Sequence, residues 1–251
     1  MKLLSLLFVC VLSLPLLAAD DKVVRLTSLG WPPYSGQTLL DQGATVEVVR
    51  QALGAMGYQL EVDFYPWSRA VHLAADPKSR YHGYFPEYYS ESVNYDFVYS
   101  DPVGYGRLGF AQRRGEDIRW ESLTDLDRFT LGVVRGYVNT KELDGLIAQR
   151  TLRASEAQND TSNLMKAAYG RIDLAVVDEN VMRYLLKNDP DLAPVVGELT
   201  FNPTPLDMKS LYVCFNRQNK GLADVLNQGL AKIDVRKIQR DYFGRVLGDN
   251  P

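Results

Sequence analysis

The order in which two hydrophobic periods alternate along this chain confines it to few folds. Residues 23–29 alternate apolar and polar side chains, as a half-buried strand does. The run stops at Gly30-Trp31-Pro32-Pro33, where neither a strand nor a helix continues. Ala44, Val48, Val49, Ala52, Leu53 and Met56 then recur at helical spacing, with Gly57 as the stop. Residues 60–65 predict a second strand ended by Pro66, and residues 67–75 a short helix. An aromatic-rich stretch follows as the third strand. Strand, helix, strand, helix, strand implies parallel pairing with right-handed crossovers. The pattern then restarts, with strands expected at 108–112, 129–134, 152–154, 172–177 and 211–215. Helices are expected from Gly136 to about Gln149, from a cap at Asp160 or Thr161 to Gly170, and over 179–187. Two more close the chain, near 221–233 and 235–243. Two α/β units with no Gly/Ser-rich linker predict two lobes sharing a hinge. Ligands of open α/β sheets sit at the carboxyl ends of strands, so the lobes face each other across a cleft.

Ahead of this pattern, Met1-Lys2 leads into an apolar run from Leu3 to Leu17, then Ala18-Ala19 and Asp20-Asp21. One positive charge, an apolar core and small residues before a polar start make a secretory signal over residues 1–19. The run is shorter than the ~20 apolar residues a membrane span needs. Once the signal is cut, Cys214 is the one cysteine left and no internal disulfide can form. Losing Lys2 takes the formal charge from −3 to −4. A mildly acidic chain without a basic run is not built to track phosphates, so nucleic acid is not an expected partner.

The stretch Tyr84–Val103 carries tyrosines at 84, 88, 89, 95 and 99 and phenylalanines at 85 and 97, and it ends in Tyr-Ser-Asp-Pro-Val. Such rings bury area and still offer hydroxyls, which suits a wall closing on a small polar molecule. Gly104-Tyr105-Gly106-Arg107-Leu108-Gly109 matches a dinucleotide fingerprint in letters only, because a strand rather than a helix is expected after it. A flexible crossing between lobes accounts for those glycines instead. His72 and His82, the two histidines, have no acidic partners at metal-ligand spacing, and no nucleophile elbow is present. No cofactor, metal or catalytic residue is expected.

Several short motifs, in order and spread over nearly the whole chain, resemble the type II periplasmic solute-binding proteins, family 3, which include amino acid receptors. They are Trp31-Pro32-Pro33-Tyr34, Tyr99-Ser100-Asp101-Pro102, Leu131 to Gly136, Gly170 to Asp178, and Lys237 to Phe243. The resemblance implies a Venus-flytrap: an α/β fold of two lobes, each a sheet flanked by helices, with the ligand cleft between them. It implies a discontinuous first lobe (20–106 and 218–251) and an inserted second lobe (107–217).

The resemblance also implies a set of binding residues. Tyr34 covers the ligand from the first lobe, Trp67 and Arg69 line the same side, and Phe85, Pro86 and Tyr88 form a wall. Gly136 and Tyr137 make the second-lobe turn whose amides face an acidic group. Asp178 holds an amino group, with a helix N-cap as its alternative role. One departure is plain: Val93 stands where amino acid receptors place the arginine that forks onto the ligand's carboxylate, and a valine cannot replace a guanidinium. Either the ligand carries no carboxylate there, or Arg69 or Arg135 supplies the charge.

These expectations describe a monomeric periplasmic binding protein that captures a small polar or amine-bearing solute for an ABC-type inner-membrane permease. A secreted enzyme on the same fold, such as a cyclohexadienyl-dehydratase-like lyase using Glu87, Glu91 or Asp178, is the alternative. A ligand sensor for a membrane kinase is a third.

Overall fold

β1 (Val23–Ser28) is the strand on which the first lobe assembles. It pairs in parallel with β2 (Gln59–Phe64) on one side and β3 (Gly83–Tyr88) on the other. The computed structural model describes residues 22–248, so the expected signal at 1–19 lies outside the described residues. The two crossovers are α1 (Ala44–Gly54) and α2 (Trp67–Ala75). α1 buries Val46, Val48, Val49, Ala52 and Leu53, the stripe that its spacing predicts. Proline at the N-cap position, Pro66, opens α2. Every residue of β3 is buried, as a central strand requires.

Two long antiparallel strands, β5 (Gly104–Arg113) and β10 (Asp207–Asn216), carry the sheet from one lobe into the other. The full order is β2-β1-β3-β10-β5-β8-β6-β7, with β4 (Phe97–Tyr99) on β10 and β9 (Leu199–Phe201) on β5. The second lobe holds β6 (Thr130–Val134), β7 (Arg153–Ala157) and β8 (Leu174–Asp178). β6 pairs in parallel with both β7 and β8. Its helices are α3 (Lys141–Ala148), α4 (Asp160–Ala168) and α5 (Glu179–Asn188). α6 (Lys220–Leu230) and α7 (Val235–Leu247) return to the first lobe and pack on α1.

The crossing differs from the sequence expectation in two ways. β5 starts at Gly104 rather than at 108, and its glycines serve close approach, not flexibility. A Cβ at Gly106 would stand 2.0 Å from Asp178 Oδ2, and one at Gly109 would stand 2.5 Å from the Phe201 ring. The return passage, expected after residue 217, falls inside β10. Asp207–Leu211 pairs with β5, whereas Leu211–Phe215 already pairs with β3, so a single strand serves both lobes.

Two helix starts differ as well. The helix after Gly136 begins only at Lys141, where the Thr140 hydroxyl accepts from Leu143 N. α4 is capped by Asn159, which accepts from Ser162 N, and this leaves Asp160 free to turn inward at 6 % exposure. The three-residue strands β4 and β9 carry too little periodicity to read.

α7 fixes the crossing from behind. The Gln239 amide brackets one residue of β5: its Oε1 accepts from Tyr105 N at 2.9 Å, and its Nε2 donates to Tyr105 O. The Arg236 guanidinium covers the Tyr105 ring at 3.9 Å.

Candidate functional site: a cleft between the lobes

β1 and β3 end and α2 begins on one side of the cleft, and β6, β8 and α4 begin or end on the other. An inner space of about 30 Å³ lies between them, lined by Leu29, Trp31, Trp67, Glu87, Tyr88 and Tyr137 among others. It opens past Leu29, Trp67 and Tyr137 into an outer space of about 610 Å³ that reaches Tyr65, Arg135 and Asn159. Four aromatic rings therefore wall the inner end. Trp31 meets Tyr88 edge-on at 6.0 Å, and Trp67 meets Tyr137 of the other lobe edge-on at 6.1 Å.

Two sets of bonds join the lobes across this cleft. At the mouth, Trp67 Nε1 donates to Gly136 O at 3.0 Å, and Lys141 pairs with Glu91 at 2.9 Å on the exposed rim. At the hinge end, the Tyr34 hydroxyl lies 3.0 and 3.1 Å from the two Asp178 carboxylate oxygens and receives Asn180 Nδ2 at 3.0 Å. The lobes are thus closed on each other.

Of the residues singled out in the sequence, Trp67, Pro86, Tyr88 and Tyr137 line the inner space. Tyr34 and Phe85 have no exposed surface and belong to the main core cluster. Tyr34 is held between a stacked Trp31 at 4.6 Å and an edge-on Phe243 at 5.4 Å. Asp178 caps α5, with Oδ1 accepting from Asn180 N at 2.8 Å and Val181 N at 3.2 Å, and it is 1 % exposed. Cap amides and the Tyr34 hydroxyl together occupy the carboxylate that the sequence reading reserved for an amine.

The turn at Gly136 also works otherwise than expected. Its carbonyl, not its amide, takes the Trp67 indole, and the Tyr137 amide is spent on Val134 O. With α3 starting several residues later, no helix N-terminus backs this turn.

The expected replacement arginines stay away from the inner end. Arg69 is exposed and lies over the Tyr65 ring at 5.2 Å. Arg135 reaches the outer space, 69 % exposed and paired with Glu156 at 2.9 Å. Val93 packs against the Ala74, Tyr84, Phe97 and Cys214 cluster, an apolar place for a valine. Among the described residues, no lysine, arginine or histidine lines the inner space.

One carboxyl, Glu87, lines it, while Asp160 and Asp178 are held by Tyr137 and Tyr34 behind the wall. Glu87, Asp160 and Asp178 are each pushed up to about 7, chiefly by burial. Glu87 accepts from Tyr84 Oη at 3.1 Å and Tyr88 N at 2.8 Å, and Asp160 accepts from Tyr137 Oη at 3.4 Å. Glu87 and Asp178 had been named from sequence, but Asp160 had been read only as a cap. A run such as Asn159-Asp160-Thr161-Ser162 carries a capping signal whichever residue caps. Only the neighbours Trp31 and Tyr137 mark Asp160 as different.

No family model matches the chain, and no curated protein matches it. Solved structures do. The periplasmic VFT2 domain of Bordetella pertussis BvgS is 17% identical, covers 91% of this chain and 94% of its own, and superposes with a TM-score of 0.73. A histidine kinase sensor domain with similarity to periplasmic binding proteins is 18% identical over 91% of this chain and 98% of that one, with a TM-score of 0.72. An amino acid ABC transporter substrate-binding protein from Streptococcus pneumoniae, bound to L-arginine, is 14% identical. It covers 90% of this chain and 97% of its own, with a TM-score of 0.71. At such identities the likeness is one of fold: the chain has the two-lobed α/β Venus-flytrap fold of type II periplasmic binding proteins.

Proposed function

We propose that the chain is a periplasmic solute-binding protein that closes its lobes on a small amine-bearing solute and delivers it to an ABC-type permease. The observation that carries this reading is the inner cleft, walled by Trp31, Trp67, Tyr88 and Tyr137 from both lobes and lined by the carboxyl of Glu87. Rings of both lobes hold an amphipathic solute only when the lobes meet, so the solute favours closure by its better fit to the closed state. Trp67, Pro86, Tyr88 and Tyr137 contact the solute, with Gly136 completing the mouth. Tyr34 and Asp178 act as the latch beside the hinge, Phe85 supports the wall from behind, and Arg69 stays outside. Lobe 1 comprises residues 20–106 and the chain after the β10 passage, and lobe 2 lies between. The export signal expected from the sequence and the amino acid ABC transporter substrate-binding protein among the fold neighbours support a periplasmic carrier.

A thermal-shift screen of polar metabolites tests the reading. A stabilising compound should be recovered unchanged after incubation. Conversion to a product would transfer the assignment to the second reading, a secreted lyase. That reading draws on Glu87 and Asp160, both at about 7 and so suited to donate and accept protons near neutrality.

A further inference from the structure

Hydrogen-bond donors without acceptors sit at the inner end of the cleft. Tyr88 Oη and Trp31 Nε1 are buried and unpartnered, and both residues line the inner space at 7 % exposure. An indole nitrogen only donates, and a phenol needs an acceptor for its proton. Asp160 feels the Trp31 indole, yet no bond of hydrogen-bond geometry joins the two, and Asp160 is held instead by the Tyr137 hydroxyl at 3.4 Å. Each orphan donor costs stability until something outside the chain accepts from it. The same space offers an acceptor in return. Glu87 lines it, and its oxygens take one bond each, from Tyr88 N at 2.8 Å and from Tyr84 Oη at 3.1 Å. A carboxylate has about four acceptor sites, so about two stay open.

We propose that the inner end binds a head in which an amine stands beside an uncharged oxygen, as in an amino alcohol or an amino acid amide. The oxygen accepts from Tyr88 Oη and Trp31 Nε1, and the amine donates to Glu87. The inference rests on the solute-capture reading above and names the chemistry of the captured head. Size agrees with it. An inner space of about 30 Å³ exceeds the ~10–15 Å³ that one water needs and admits a hydroxymethyl or carboxamide group. The remainder of the solute extends into the outer space of about 610 Å³.

Charge decides against a carboxylate in the oxygen's place. Among the described residues, no cation lines the inner space, and a ligand carboxylate would face Glu87 there. Lys209 Nζ stands 5.1 Å from the Tyr88 ring centroid, but it is tied to Asp207 at 3.7 Å and does not line that space. Arg135 reaches only the outer space and is paired with Glu156. A bare ammonium fits no better. It only donates, and would leave the indole and phenol protons without an acceptor.

Isothermal titration calorimetry on the purified chain tests this with the amides and amino alcohols of the common amino acids. Each is set against its free acid and its decarboxylated amine: phenylalaninamide and phenylalaninol against phenylalanine and phenethylamine, argininamide against arginine and agmatine. At least one amide or amino alcohol should bind about tenfold or more tightly than both its acid and its amine. Tyr88→Phe should remove most of the advantage over the amine. It should also leave the ligand-free melting temperature equal to or above that of the parent, because a donor without an acceptor is gone. The inference is overturned if no amide or amino alcohol binds, if the acid or the amine equals it, or if Tyr88→Phe keeps the advantage. A lower ligand-free melting temperature overturns it too, since the hydroxyl would then have had a partner. The two readings fail separately. Should a free amino acid or a bare amine bind best in the wider screen, solute capture stands without this inference. A screen in which nothing binds removes both.

Discussion

The Tyr34 hydroxyl touches both carboxylate oxygens of Asp178, at 3.0 and 3.1 Å, and so ties the loop after β1 to the start of α5. No solvent reaches the pair, since Tyr34 is 0% and Asp178 1% exposed. A cap and a latch thus share one carboxylate. The arrangement needs a residue without a side chain opposite it, and Gly106 of β5 is that residue.

Gly106→Ala is therefore expected to destabilise the protein by about 1–3 kcal/mol, because its Cβ would stand 2.0 Å from Asp178 Oδ2 and 2.7 Å from Tyr34 Oη. Gly30→Ala, with nothing within 4 Å of the new Cβ, serves as the control. Urea denaturation compares the two, and equal midpoints would refute the close-approach account.

Stability should depend on pH with an unusual sign. Glu87, Asp160 and Asp178 sit at about 7 in the folded chain, against about 4 when unfolded. Between those values the folded state keeps protons that the unfolded chain releases. The contribution is fully present below about 4 and lost as pH rises through about 7. Melting temperature of the ligand-free protein should fall from about pH 5 to about pH 8, and Glu87→Gln and Asp160→Asn should each flatten that slope. A melting temperature that rises over the range would contradict the burial of these acids.

Trp67→Phe keeps a ring at the mouth but removes the indole nitrogen that reaches Gly136 O at 3.0 Å. Losing this exposed bond should shift the lobes toward opening by about 1 kcal/mol. Small-angle scattering of the ligand-free variant should give a larger radius of gyration than the parent. An identical profile would show that the bond does not set the closed population.

Gln239→Ala leaves both backbone groups of Tyr105 without their side-chain partners. A cost of about 1–3 kcal/mol in chemical denaturation is expected. Amide exchange at Tyr105 should also speed up. Unchanged exchange there would remove Gln239 from the hinge.

Most of the fold was legible in the chain, because each βα unit carries its own period. Val46, Val48, Val49, Ala52 and Leu53 are buried on α1 as their spacing demands. Misreadings fall where a non-local partner decides. The glycines of β5 look flexible until Asp178 and Phe201 are placed against them. Residues 211–216 look like second-lobe chain until β3 and β4 are seen to pair with them. Of the site, the aromatic wall was readable, since ring density survives in one dimension. Asp160 was not, because its burial is created by Trp31 and Tyr137, far away along the chain.

The way β10 is shared bears on the order in which the polypeptide acquires structure as it emerges from its N-terminus onward. β6, β7 and β8, with their helices, pair among themselves within one uninterrupted span and can consolidate as soon as that span has emerged. β1, β2 and β3 must wait for Leu211–Phe215 to join β3, and for α6 and α7 to cover α1. Until then β3 keeps an unpaired edge made of Tyr84, Phe85 and Tyr88, a sticky surface while the chain is incomplete. The half of the cleft that is read first is therefore the half finished last, and it is where a holdase chaperone would be needed most.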